Sequence, residues 1–86
     1  MDVLYHYYIN HKDHIGPAIR YYRKLRGLTQ SELGKTVGLS WGRISRHETS
    51  RSQSISQTLI ERIAMALGVS VEALWAYAKT NKEIPV

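Results

Sequence analysis

The chain has 86 residues, a net charge of +5 and no cysteine, which describes one small domain with a modest core and excludes a disulfide framework or a thiolate metal site. No run approaches the roughly 18 apolar residues of a membrane span, and residues 1–10 lack the basic start and cleavage site of a signal peptide. The expectation is an intracellular, cytoplasmic protein.

Residues 1–14 are rich in aromatics. Val3, Leu4, Tyr7 and Tyr8 would share a helical face, whereas Val3, Tyr5, Tyr7 and Ile9 alternate as on a strand, and the pattern does not choose between them. Asp2 and Asp13 against Lys12 argue against a basic DNA-reading arm. Packing onto the domain or onto a dimer partner is expected instead, the second of which would make the segment an oligomerisation element. His11 and His14 stand three apart, as two ligands on one helical face would, with His6 and Asp13 nearby. Nothing else completes a ligand set, so they read as solvated histidines and no metal is assigned.

A first helix is expected over about 16–26, with Pro17 in its first turn, an apolar stripe of Ile15, Ile19, Tyr22 and Leu25, and Gly27 as its stop. Thr29 can N-cap a second helix, and Glu32 completes a capping box. Leu33 and Val37 lie one turn apart on its buried face. Gly38 sits where the chain must turn sharply. Ser40 can cap a third helix over about 41–48, with Ile44 as its buried contact. A polar loop, Thr49-Ser-Arg-Ser-Gln-Ser54, leads to a fourth helix over about 56–67, whose Ile60, Ile63, Ala64 and Leu67 have helical spacing before Gly68. Ser70 caps a fifth helix with Glu72 in its first turn and Val71, Leu74, Trp75 and Ala78 on one side. Residues 79–86, which include Pro85, read as a frayed tail, leaving 15–78 as the domain.

Two helices joined by so short a glycine turn form a helix-turn-helix, which can project its second helix into a DNA major groove. The charge coincides with it. Residues 16–52 carry eight cations against Glu32 and Glu48, whereas residues 1–15 are slightly acidic and residues 53–86 are balanced. A field of one sign on that segment favours a polyanion and salt-dependent binding.

Ile15-Gly16, Ile19, Arg23, Gly27-Leu28-Thr29-Gln30, Leu33-Gly34, Val37-Gly38-Leu39-Ser40, Ile44-Ser45, Glu48 and the run Ile63 to Ser70 follow one another in the order of a known pattern. Through them the chain resembles the lambda-repressor-like, Cro/C1-type (XRE) helix-turn-helix family from Ile15 to Leu74. The resemblance implies an all-α, compact five-helix domain that binds double-stranded DNA sequence-specifically as a homodimer on a near-palindromic operator, without a cofactor. It also implies a cytoplasmic protein of bacterial or phage origin, on the nucleoid when bound.

Residue by residue, the resemblance implies a backbone phosphate for Gln30, aided by the helix N-terminus, and base edges for Trp41, Gly42, Ser45 and Arg46. Ser40, Arg43, Thr49 and Arg51 fall at backbone-facing places. Arg46 is the foremost base reader because its planar fork can grip guanine O6 and N7 together, with Arg43 second. An acid at the end of the third helix opposes the helix dipole, so Glu48 needs a partner. The resemblance supplies Arg23, in a structural ion pair from which Arg23 could also reach a phosphate. Leu74, Trp75 and Tyr77 are expected at a dimer interface, since the family often dimerises through its C-terminal helices. Gly42, at a base-reading position, has no side chain and weakens its helix. His47 replaces the usual apolar residue and is read as a partly buried structural histidine. Ser50 replaces a common glycine, and the following loop is one residue longer than usual.

The leading functional reading is a dimeric transcriptional repressor, controlled through its concentration, dimerisation or a partner because no segment remains for an effector domain. The second is an antitoxin-type module that binds a protein partner as well as its own operator; a stable complex formed through residues 1–14 or 79–86 would distinguish it. An enzyme fails on inventory, for lack of a nucleophile–base pair, a phosphate-cradling loop or a metal cluster.

Overall fold

The computed structural model describes residues 15–49 and 55–80. Among them the backbone forms five helices and no strand: α1 (Gly16–Leu25), α2 (Gln30–Val37), α3 (Trp41–Thr49), α4 (Gln57–Leu67) and α5 (Val71–Thr80). The readings made for residues 1–14, for Ser50, Arg51 and their loop, and for residues 81–86 lie outside the described residues. No helix among the described residues is long and apolar enough to cross a membrane.

Local chemistry sets the helix boundaries. The Glu32 amide donates to Thr29 Oγ1 at 3.0 Å and the Thr29 amide to Glu32 Oε1 at 2.8 Å, closing the capping box that starts α2. Those bonds hold the Glu32 carboxyl below its ordinary pKa. Gly38 ends α2 at φ +80°, in the left-handed region, while the Leu39 amide returns to the Gly34 carbonyl at 2.8 Å. A Cβ on Gly34 would collide with the Leu39 carbonyl, so the turn closes this tightly only over a glycine. Ser40, Ser56 and Ser70 each accept an amide of the first turn that follows, at 3.2, 3.1 and 3.0 Å respectively.

The core lies where the helices cross. Ile15, Ile19, Leu33, Ile44, Ile60, Ile63, Leu67 and Leu74 are fully buried there, one or two from nearly every segment. Leu25, expected on the stripe of α1, is instead 50% exposed. The helix ends at that residue, and the reach toward α4 is made by Arg26, whose Nε donates to the Leu67 carbonyl at 2.7 Å. A cation at that helix C-terminus meets a carbonyl left without an intrahelical partner.

Two further expectations are corrected. Leu74 and Trp75 are 0% and 2% exposed and belong to this chain's own core, so their side chains do not form a dimer interface. α5 packs on α1 and α4 and buries its largest side chains there. Tyr77 is half-buried and stacks on Tyr21 with ring centroids 4.3 Å apart. The helix also continues through Thr80, whose hydroxyl donates to the Ala76 carbonyl at 2.8 Å, so residues 79 and 80 are helical rather than tail.

One close approach positions α3. Gly16 packs its backbone directly on the end of that helix, and a Cβ there would strike the carbonyls of His47 and Glu48. The start of α1 therefore lies flush against the last turn of α3, within reach of its side chains.

Candidate nucleic-acid interface

α3 divides into two sides. Ile44, His47 and Glu48 are buried, while Trp41, Arg43, Arg46 and Thr49 are exposed and Gly42 and Ser45 lie half-buried between them. Three and four residues along a helix return to the same face, so the inner set is one contiguous stripe and the outer set faces away from it. Trp41 is 63% exposed at the first position of the helix. Beside it, a Cβ on Gly42 would meet nothing nearer than Ser40 Oγ at 4.0 Å. Packing within the fold therefore does not require glycine at 42.

The inner side is held by a compact polar cluster. Arg23 Nε donates to Glu48 Oε2 at 2.6 Å and Arg23 Nη2 to Glu48 Oε1 at 3.1 Å, a two-pronged pair joining α1 to the end of α3. Arg23 Nη1 donates to the Leu28 carbonyl at 2.7 Å, which ties in the segment before α2. Gln30 Nε2 adds a bond to Glu48 Oε1 at 3.2 Å. Both charged residues are at least nine-tenths buried, and their bonding compensates the loss of water. Arg23, with donors on all three nitrogens engaged in this burial, stands as a positioning residue and not on the exposed face with Arg43 and Arg46. The bond from Gln30 to Glu48 had no signal in the sequence, because the two residues are 18 apart and on different helices.

The consequence is electrostatic. Glu48, the carboxylate of α3, is turned inward and neutralised, so Arg43 and Arg46 act on the outer side without an ion-pair partner among the described residues. The hydroxyls are partly committed: Ser40 Oγ accepts the Arg43 amide at 3.2 Å, and Thr49 Oγ1 donates to the Ser45 carbonyl at 2.9 Å. No cluster of side chains that could hold a metal occurs among the described residues.

His47 is 5% exposed, and neither ring nitrogen has a hydrogen-bond partner among the described residues. Burial first, and then the nearby charges of Arg43 and Arg46, press its pKa below the ordinary 6.5. The imidazole is thus kept neutral and takes the place of an apolar side chain.

Two measurements test this inner side. Glu48→Gln should lower the unfolding free energy by about 3 kcal/mol, because the Arg23 charge stays buried without its counter-ion; denaturant titration that finds no change would exclude the clamp. For His47, the unfolded chain binds the proton more tightly than the folded one. Stability should be complete above the ordinary imidazole value of 6.5 and decline as the pH falls below it. His47→Leu should flatten that part of the pH profile, and an unchanged slope would assign it to other groups.

Comparison with known proteins agrees with this geometry. Residues 19–74 match the helix-turn-helix family HTH_3, a stretch that contains α2, α3 and α4 entire. Comparison with curated proteins gives no match. Among solved structures the chain is similar to that of the clp gene regulator ClgR from C. glutamicum, at 27% sequence identity and a TM-score of 0.74, covering 85% of this chain and 94% of that one. With most of its length inside the match, this chain belongs to the XRE-type helix-turn-helix family of DNA-binding transcription regulators.

Proposed function

We propose that the protein is a sequence-specific repressor that lays α3 in the major groove of duplex DNA, one chain to a half-site, and acts as a dimer on a two-fold-symmetric operator. The observation that carries this reading is the outer side of α3, where Arg43 and Arg46 are exposed and have no ion-pair partner among the described residues, while the helix's acid is buried in a clamp. A major groove about 12 Å wide admits such a helix, and two-fold symmetry sets half-sites about one helical turn apart.

Within that reading, Arg46 and Ser45 meet base edges, and Trp41 lies over a thymine methyl or a sugar at the start of the helix. Arg43, Ser40, Thr49, Arg51 and the N-terminus of α2 at Gln30 face the phosphates. Gln30 does so while its amide also steadies Glu48. Gly42, which the fold does not need, lets the backbone of α3 approach the DNA. Arg23 contributes by holding α3 at its angle. Leu74 and Trp75, being buried, leave dimerisation to other surfaces.

Selection from random duplex DNA at two salt concentrations tests the reading. A symmetric site should be enriched, and salt-sensitive binding without enrichment would reduce the protein to a non-specific phosphate binder. Arg46→Ala should relax preference at one operator position, losing about 1–3 kcal/mol against the correct base. A uniform loss on all sequences would demote Arg46 to a backbone contact. Gly42→Ala should separate stability from function. It should gain about 0.5–1 kcal/mol in folding through helix propensity and yet weaken operator binding. Unimpaired binding would show that the DNA does not approach that closely.

A further inference from the structure

We propose that a groove between α2 and α4 is a docking site for an acidic amphipathic helix of a partner protein. The groove has a volume of about 500 Å³ and is lined by Lys35, Thr36, Val37 and Gly38 from the end of α2 and by Arg62, Met65 and Ala66 from α4. None of these residues belongs to α3, so the groove is a second surface, independent of how α3 meets DNA.

Its composition is selective. Met65 is 83% exposed, more than any other large apolar side chain among the described residues. The core face of α4 is complete without it, since Ile60, Ile63, Ala64 and Leu67 supply the buried stripe. A flexible, polarisable thioether in the open is suited to cover an incoming apolar side chain. Arg62, Met65 and Ala66 lie at i, i+3 and i+4 and share one face of α4. Lys35 stands across from them on α2. Arg62 has no ion-pair partner among the described residues, and Glu32, the acid one turn before Lys35, is held in the capping box by Thr29. Thr36 does not compete for a ligand, because its hydroxyl donates to the Glu32 carbonyl at 3.2 Å.

Two cations flanking an exposed methionine choose among occupants. A phosphate backbone would satisfy Lys35 and Arg62 but leave Met65 in water. A second copy of this chain offers no suitable helix among the described residues, because the apolar faces of its five helices are already buried in the core. A helix with one apolar anchor and a carboxylate one turn to either side satisfies both requirements, the anchor on Met65 and Ala66 and the carboxylates on the two cations. Such a partner would leave the outer side of α3 free.

The test is an NMR titration of the full chain with a synthetic helical peptide carrying a central leucine and a glutamate one turn to each side. A peptide with lysines in place of the glutamates serves as control. Shifts are expected at residues 35–38 and 62–66, with no binding of the lysine peptide and no displacement by a random-sequence duplex. Met65→Glu and Arg62→Glu, both at exposed positions whose thermal melts should match the parent, should each weaken the peptide by about tenfold. The proposal is overturned by an absence of shifts, by shifts centred on α3, by competition with the duplex, or by equal binding of the lysine peptide. It also fails if affinity is unchanged in both variants, or if Met65→Glu abolishes self-association of the protein, which would assign the groove to a second copy.

Discussion

The ion pair between Arg23 and Glu48 links the last turn of α1 to the last turn of α3, and the placement of α3 depends on it. A carboxylate at a helix C-terminus is unfavourable by itself, because it opposes the helix dipole and, in this chain, sits among cations. Buried against a guanidinium and bonded by Gln30 as well, it becomes a fixed point where α1, α2 and α3 meet. The third branch of the same guanidinium, to the Leu28 carbonyl, brings the α1–α2 connection into the cluster. Buried pairs with every partner in place add specificity of arrangement more reliably than net stability. Here the arrangement so specified is the angle of one helix.

Around that point the packing is unusually close. Gly16 lets α1 touch the carbonyls at the end of α3, and Gly34 lets the turn after α2 fold back on its own helix. Larger residues at either place would push the helices apart and lengthen the bonds of the Arg23–Glu48 cluster. His47 fits the same logic from the apolar side. Buried and without a hydrogen-bond partner among the described residues, it is kept neutral by its surroundings and fills space beside the clamp. The outer side of α3 is therefore defined by what its other side has absorbed. Once Ile44, His47 and Glu48 are turned inward, the exposed remainder is Trp41, two arginines and small or hydroxyl residues.

The cations of this chain thus have separate duties. Arg23, buried, and Arg26, exposed, are each spent on a partner within the chain, one on a carboxylate and one on the C-terminal carbonyl of α4. Arg43 and Arg46 remain on the outside of α3, and Lys35 and Arg62 flank a groove elsewhere. A net charge counts all of these alike, and only their partners tell which contribute to a field that a polyanion or an acidic helix would feel.

The sequence by itself determined the local structure. Capping residues, glycine stops and helical spacing act over a few positions, so the starts of α2, α3, α4 and α5, the left-handed end of α2 and most of the core stripe were legible one segment at a time. The outer place of Arg43 and Arg46 followed from the same periodicity, whereas that of Trp41 and the pairing of Arg23 with Glu48 were suggested through family resemblance. Tertiary structure decided what depends on neighbours distant along the chain. It placed Leu74 and Trp75 in the core, because α5 packs against α1, where an apolar stripe alone cannot say which surface will cover it. It left Leu25 exposed and sent Arg26 to the last carbonyl of α4, a contact between the ends of two helices far apart along the chain. It brought Gln30 to Glu48 and opened the Met65 groove, both of which arise between helices and have no periodicity for a sequence to display.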